Sequence, residues 1–150
     1  MGHRVMITGL GVVSAFGLTT DEFWQGISHG DCAIKPLPPH DDLKISVGAT
    51  VPDYDPEELF SAEELPYLDR FSQLSILASE QAAADANFAD DKALLNAAVI
   101  IGNAAGSKNT DEEVYAKIHN SKRPRVHPLA IPKGMHSAVA SSVSKHLGIK

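Results

Sequence analysis

The chain has 150 residues, 43% hydrophobic, 21% charged and 6% aromatic, with a formal net charge of −6. That length and apolar share suit one domain with a buried core, and eleven Gly with nine Pro exclude a collagenous or wholly disordered chain. No apolar run approaches the roughly 18 residues of a membrane helix, there is no signal-peptide layout at the N-terminus, and the single cysteine, Cys32, has no internal disulfide partner, so a cytoplasmic setting is expected.

The charge is unevenly spread. Residues 1–113 hold all 19 acidic residues, while residues 114–150 hold none and carry Lys117, Lys122, Arg123, Arg125, Lys133, Lys145 and Lys150. Two readings follow from charge alone: a basic surface for an acidic partner, or a balance supplied by the remainder of a larger protein.

In chain order, Arg4-Val-Met-Ile-Thr8 alternates and is β-branched, so it reads as a strand. It leads into the glycine loop Gly9–Gly17. Thr19-Thr-Asp-Glu22 is a capping box, and the helix after it sets Phe23, Trp24 and Ile27 on one side and stops near Gly30. Residues 31–43, with Pro36, Pro38 and Pro39, read as loop. Ile45–Val51 reads as a second strand, Asp53–Pro56 as a turn, and Ser61-Ala-Glu-Glu64 as a capping box for a short helix that Pro66 interrupts. Asp69 to about Ala86 is the longest helix signal. Small or apolar residues surround most of it, as expected of a helix covered on several sides. Ala97–Ile101 reads as a buried strand and Gly102–Gly106 as a strand-to-helix loop. Thr110-Asp-Glu-Glu113 should cap the next helix, which ends around Asn120. Lys122-Arg-Pro-Arg125 and Val126-His-Pro128 form a basic, Pro-rich loop. Pro132 should begin a last helix ending near Gly148. Alternating strands and helices indicate an α/β fold with a largely parallel sheet.

Site motifs are sparse. Gly9-x-Gly11-x-x-Ser14 lacks the third glycine opening a helix and the acidic residue after the second strand that a dinucleotide site needs. Gly102-x-x-x-Gly106-Ser-Lys108 is not a phosphate loop. The seven histidines have no His-x-x-x-His pair, so no metal is expected. Cys32 follows a helix C-terminus, where nothing favours a thiolate. The basic C-terminal third alone would also fit a nucleic-acid binder, and residue chemistry goes no further than a cytoplasmic α/β domain.

The ordered blocks carry a resemblance. Arg4-Val-Met-Ile-Thr-Gly-Leu-Gly-Val-Val-Ser-Ala-Phe-Gly17 resembles the N-terminal signature of β-ketoacyl-acyl-carrier-protein synthases, the elongating type II ketosynthases of the thiolase-like superfamily. Leu68-Asp-Arg-Phe-Ser-Gln-Leu74 resembles the Met-Asp-Arg-Phe helix start of that family. Val99-Ile-Ile-Gly102 resembles its third strand, and His127-Pro-Leu-Ala-Ile-Pro-Lys-Gly-Met135 its next block. The resemblance implies a five-layer αβαβα thiolase-like fold, with residues 1–150 as an incomplete N-terminal half ending before the nucleophile region. It implies decarboxylative condensation of an acyl thioester with malonyl-carrier protein, in fatty-acid or polyketide synthesis, without redox cofactor or metal. No catalytic cysteine or histidine of the family is matched, so the 150 residues alone are expected to be inactive.

By position, the resemblance puts Ala105 beside the bound acyl chain and Ala130–Met135 near the pocket of a partner subunit in a homodimer or heterodimer. Lys122, Arg123 and Arg125 fall in the loop that docks acyl carrier protein. Three departures stand out. Gly102-Asn-Ala-Ala-Gly106-Ser replaces the usual Gly-x-Gly-x-Gly-Gly, Ser137 stands where an Asn is common, and Ala62-Glu-Glu-Leu-Pro66 replaces a second basic cluster. The altered glycine loop also fits a non-catalytic, chain-length-factor-like subunit that pairs with an active ketosynthase. Nucleic acid and membrane are not implied as partners.

Overall fold

The computed structural model describes residues 4–39, 44–88 and 96–149. They fall into two compact units, Met1–Tyr54 with Leu77–Asn87, and Asp55–Ile76 with Phe88–Lys150.

In the first unit, α1 (Thr20–His29) begins on the expected capping box. Thr19 Oγ1 accepts from the Glu22 amide at 3.3 Å, and the Glu22 carboxylate accepts from the Thr19 amide at 2.9 Å. The Thr19 hydroxyl, donating to the same carboxylate at 2.7 Å, and then the Thr19 amide hold the Glu22 carboxyl below its ordinary range. The helix closes on Gly30, left-handed at φ 73°. Gly26 is its buried residue and packs on the Phe16 ring, while Trp24 is 65% exposed. The apolar side expected of Phe23, Trp24 and Ile27 is therefore only partly covered.

The loop 9–11 lies directly on α3 (Arg70–Asp85). A Cβ at Gly9 would strike the Ala82 carbonyl, and one at Gly11 would strike the Ala78 carbonyl. Ala78, Ala82 and Ala86 repeat every four residues and so share one face, which lets the backbone approach this closely. Gln81 joins the two elements. Its Oε1 accepts from the Thr20 amide at 2.9 Å, and its Nε2 donates to the Leu18 carbonyl at 2.7 Å.

Two residue pairs form a ladder among the described residues. Strand β1 (Lys35–Pro36) runs antiparallel to β2 (Val47–Gly48), with Lys35 opposite Gly48. Most of the expected Ile45–Val51 strand is unpaired, and residues 40–43 of the expected loop lie outside the described residues. Arg4–Thr8 and Ala97–Ile101, expected as strands, are in neither helix nor ladder. Val5 is 90% and Ile100 91% exposed. β-branched residues make a strand only where another strand supplies hydrogen bonds, and no described residue does so here.

In the second unit, Asp55 caps α2 (Pro56–Leu59), taking the Glu57 amide at 2.9 Å, with Pro56 in the first turn. Ser61 and Glu64 exchange the bonds of a capping box, and a 3₁₀ turn (Leu65–Tyr67) follows with Pro66 inside it rather than breaking it. Helix α4 spans Lys108–Asn120 and ends as expected. The last helix expected from Pro132 is two pieces, α5 (Ala130–Gly134) and α6 (Ala138–His146). Proline is tolerated in a first helical turn, where its missing N–H is no loss, so α5 starts before Pro132. The backbone then turns extended at Met135, ψ 145°. Phe60, Leu68, Ile76, Val139 and Val143 are the buried apolar core of this unit. Among the described residues no helix is long and apolar enough to cross a membrane.

Candidate functional site

The second unit holds every residue that sequence assigned to a site. Asp69, 3% exposed, anchors it. Its Oδ1 accepts from the Phe71 amide at 3.2 Å, at the start of α3. Its Oδ2 accepts from the Thr110 amide at 2.9 Å and the Thr110 hydroxyl at 2.6 Å, in the first turn of α4. One buried carboxylate thus satisfies orphan donors of two helices and meets the positive end of both. Thr110 is a helix residue bonded to Asp69, not the cap that the sequence pattern predicts; Ser107 occupies the N-cap position of α4 and makes no side-chain capping bond.

Just before α4 runs loop 102–107, which carries Ala105. Asn103 Nδ2 donates to the His136 carbonyl at 3.1 Å, and Asn103 Oδ1 accepts from the Gly106 amide at 3.2 Å. His136 Nδ1 lies 2.9 Å from the same Oδ1. These bonds join loop 102–107 to the Met135–Ser137 turn between α5 and α6. Ala105 and Met135, assigned separately, therefore sit on two bonded loops, and both are exposed. Asn103 and His136 were missed. Asn at the first and Gly at the fourth position of Asn103-Ala-Ala-Gly106 is a turn signature that sequence does display; the partner 33 residues away leaves no local trace.

Met135 borders a hollow of about 300 Å³ with Val114, Tyr115, Val126, Ala130 and Ile131. A second hollow of about 250 Å³ lies between α4 and residues 126–133, with Lys117, His127 and Lys133 on its rim. Lys122, Arg123 and Arg125 are exposed on the loop after α4 and form no ion pair among the described residues. Their charge faces water, so it is open to an acidic surface. The Glu64 carboxyl is held below its ordinary range by the Ser61 hydroxyl and then by His146, whose Nδ1 is 3.0 Å away. This pair ties α6 to the 61–67 segment. Cys32 is exposed and belongs to the first unit.

The family model described as "Beta-ketoacyl synthase, N-terminal domain" matches residues 2–150. The 3-oxoacyl-[acyl-carrier-protein] synthase 2 of Synechocystis sp. (strain ATCC 27184 / PCC 6803 / Kazusa) is 30% identical over 152 residues, covering 98% of this chain and 36% of that protein. The chain thus spans little more than a third of that relative. Among solved structures, the ishigamide ketosynthase/chain length factor superposes with a TM-score of 0.82 at 20% identity, covering 97% of this chain and 37% of that one. A type II PKS acyl-carrier protein in complex with its ketosynthase bound to the hexaketide gives a TM-score of 0.76 at 18% identity, covering 100% of this chain and 41% of that one.

Proposed function

The chain belongs to the β-ketoacyl synthase family, as its N-terminal domain, and from that membership we propose that residues 1–150 are the N-terminal part of a ketosynthase domain that ends before the nucleophile. Its fold is thiolase-like, in N-terminal part. The full protein joins acyl groups to malonyl units on acyl carrier protein. A cysteine thiolate outside this segment takes the acyl group and releases the carrier thiol. Malonyl-carrier protein loses carbon dioxide, and the resulting carbanion attacks the acyl-enzyme carbonyl. Collapse of the oxyanion, held by backbone amides, expels the cysteine thiolate and leaves a β-ketoacyl thioester on the carrier.

This segment contributes positioning. Ala105 lines the acyl pocket, Met135 approaches the pocket of the partner subunit, and Lys122, Arg123 and Arg125 receive the acidic carrier. The protein works in the cytoplasm as a homodimer or as a heterodimer with another ketosynthase subunit. The observation that carries this reading is the family match running unbroken through both bonded loops. The test is condensation of an acyl-carrier primer with malonyl-carrier protein by the natural full-length protein, with the 150 residues alone inactive. A full-length protein with no cysteine after the next strand, and no release of carbon dioxide, ends the enzyme reading.

A second reading is favoured by the Asn103-Ala-Ala-Gly106 loop and by the likeness to a ketosynthase/chain length factor. In it the protein is the non-catalytic partner that shapes an active subunit's pocket. Stable co-purification with a cysteine-bearing homologue, with activity only in the pair, selects this reading.

A further inference from the structure

We propose that Asn103 and His136 are positioning residues that set which acyl chains the pocket admits, by latching loop 102–107 to the α5–α6 turn. The inference rests on the ketosynthase reading, because that reading assigns Ala105 to the acyl pocket and Met135 to the pocket of the partner subunit.

The latch is fully specified by its bonds. Asn103 donates through Nδ2 to the His136 carbonyl and accepts through Oδ1 from the Gly106 amide. A flipped amide would set an NH2 group against the Gly106 N–H and an oxygen against the His136 carbonyl, so only one orientation is satisfied. Oδ1 carries no hydrogen, so His136 Nδ1 is the donor across their 2.9 Å contact. The neutral ring therefore keeps its proton on Nδ1 and leaves Nε2 bare. Nε2 lies over Gly106, where a Cβ would stand 3.6 Å from it and 3.7 Å from the Gly134 carbonyl. Gly106 takes φ 61°, which brings its amide round to Asn103.

The consequence for substrate is geometric. Ala105 lies between the two latched residues of its loop, and Met135 adjoins His136. Two bonds between the segments and one within loop 102–107 thus fix where Ala105 stands in its own pocket and where Met135 meets the partner's. Ala105 has too little bulk to limit the chain by itself, so pocket width depends on where the loop is held. Residues 102–105 are exposed, and without the latch little packing holds them in place. Chains of other lengths then fit.

The experiment uses the natural full-length protein with Asn103→Ala, His136→Ala and His136→Gln, and acyl-carrier primers graded from short to long. Each Ala variant loses at least one bond across the latch. KM for the preferred primer should rise on the order of tenfold, and the product-length distribution should broaden. Carbon dioxide release from malonyl-carrier protein without primer should stay unchanged, which a misfolded variant would not manage. His136→Gln, whose amide N–H can still reach Asn103 Oδ1, should keep the narrow distribution. In parallel, ¹⁵N spectra of the His136 imidazole should show protonated Nδ1, and Asn103→Ala should change that signal. Unaltered length profiles in both Ala variants, or a parent ring with no proton on Nδ1, overturn the latch. A parent that condenses no primer with any partner, yet shows the Nδ1-protonated ring bonded to Asn103, removes the ketosynthase reading and this role while leaving the hydrogen-bond geometry standing.

Discussion

Replacing Asp69 by Asn tests whether a single carboxylate holds the site together. The change keeps the shape and removes the charge and one acceptor. If Asn Oδ1 faces Thr110, the new NH2 confronts the Phe71 amide. If it faces Phe71, the NH2 confronts both donors of Thr110. The better case still leaves the part-buried Phe71 donor unmet, at about 1–3 kcal/mol. The bonds that survive also lose their charge assistance, roughly halving their strength. Asp69→Asn should therefore cost about 2–4 kcal/mol, a large part of the 5–15 kcal/mol that holds an ordinary domain. Thr110→Val removes only the hydroxyl bond and should cost about 1–2 kcal/mol. Because both changes act on one bond, the double variant should be less destabilised than the sum, with a coupling of about 1 kcal/mol. Urea unfolding followed by circular dichroism gives the free energies. Amide exchange at Phe71 and Thr110 localises the loss, since those two protons should exchange first. A cost for Asp69→Asn under about 0.5 kcal/mol, or strictly additive single changes, would refute the assignment of Asp69 as the common cap.

The remaining predictions concern packing, acid stability and docking. Gly11→Ala places a methyl group against the Ala78 carbonyl and the Ala82 amide, so melting should fall by an amount matching about 1–3 kcal/mol or more. Gly30→Ala has open space around it and pays only for φ 73°, about 1 kcal/mol; equal losses at the two glycines would count against close packing of loop 9–11 on α3. The Glu64 carboxyl is held below its ordinary range, mainly through the Ser61 hydroxyl and then His146. A lowered folded value adds stability above the unfolded pKa and loses it as pH falls through the folded value. Glu64→Gln should thus flatten the fall in stability on acidification from about pH 5 downward, as urea midpoints across pH would show; an unaltered acid limb contradicts the pairing. Reversing Lys122, Arg123 and Arg125 to Glu in the full-length protein should weaken acyl-carrier-protein binding by roughly tenfold or more, since each exposed pair contributes about 0.2–1 kcal/mol and reversal adds repulsion. It should also reduce the dependence on salt, so identical titrations of parent and variant at two ionic strengths would exclude this loop from docking.

The features legible in the sequence are those whose partners lie within one helical turn. Thr19 and Glu22 are three residues apart, and Gly30 ends the helix they begin. The longest helix was legible because one segment carries its whole pattern. Asp69 and Thr110 are 41 residues apart, and Gln81 and Thr20 are 61 apart. A periodicity argument sees each of these as an ordinary polar residue, and for Thr110 it chose the wrong partner because Thr110-Asp-Glu-Glu113 imitates a cap. The segments Arg4–Thr8 and Ala97–Ile101 failed for the opposite reason. Their composition is right for strands, but a ladder is a property of two segments, and no described residue pairs with either.

The departure of loop 102–107 from the family's glycine pattern acquires a different meaning once its bonds are known. A glycine-rich turn can approach its neighbours closely but has no side chain with which to hold them. Here Asn103 supplies an acceptor and a donor, and His136 supplies the matching ring nitrogen and carbonyl. The same device recurs elsewhere: Gln81 bridges the start of α1 to α3, and Asp69 bridges α3 to α4. In each case a single side chain reaches backbone groups of a distant segment. Enlarging Ala105, an exposed residue that makes none of these bonds, should therefore change the chains accepted without changing stability, whereas removing Asn103 should move the loop itself. A loop held only by apolar contact would respond in the reverse order.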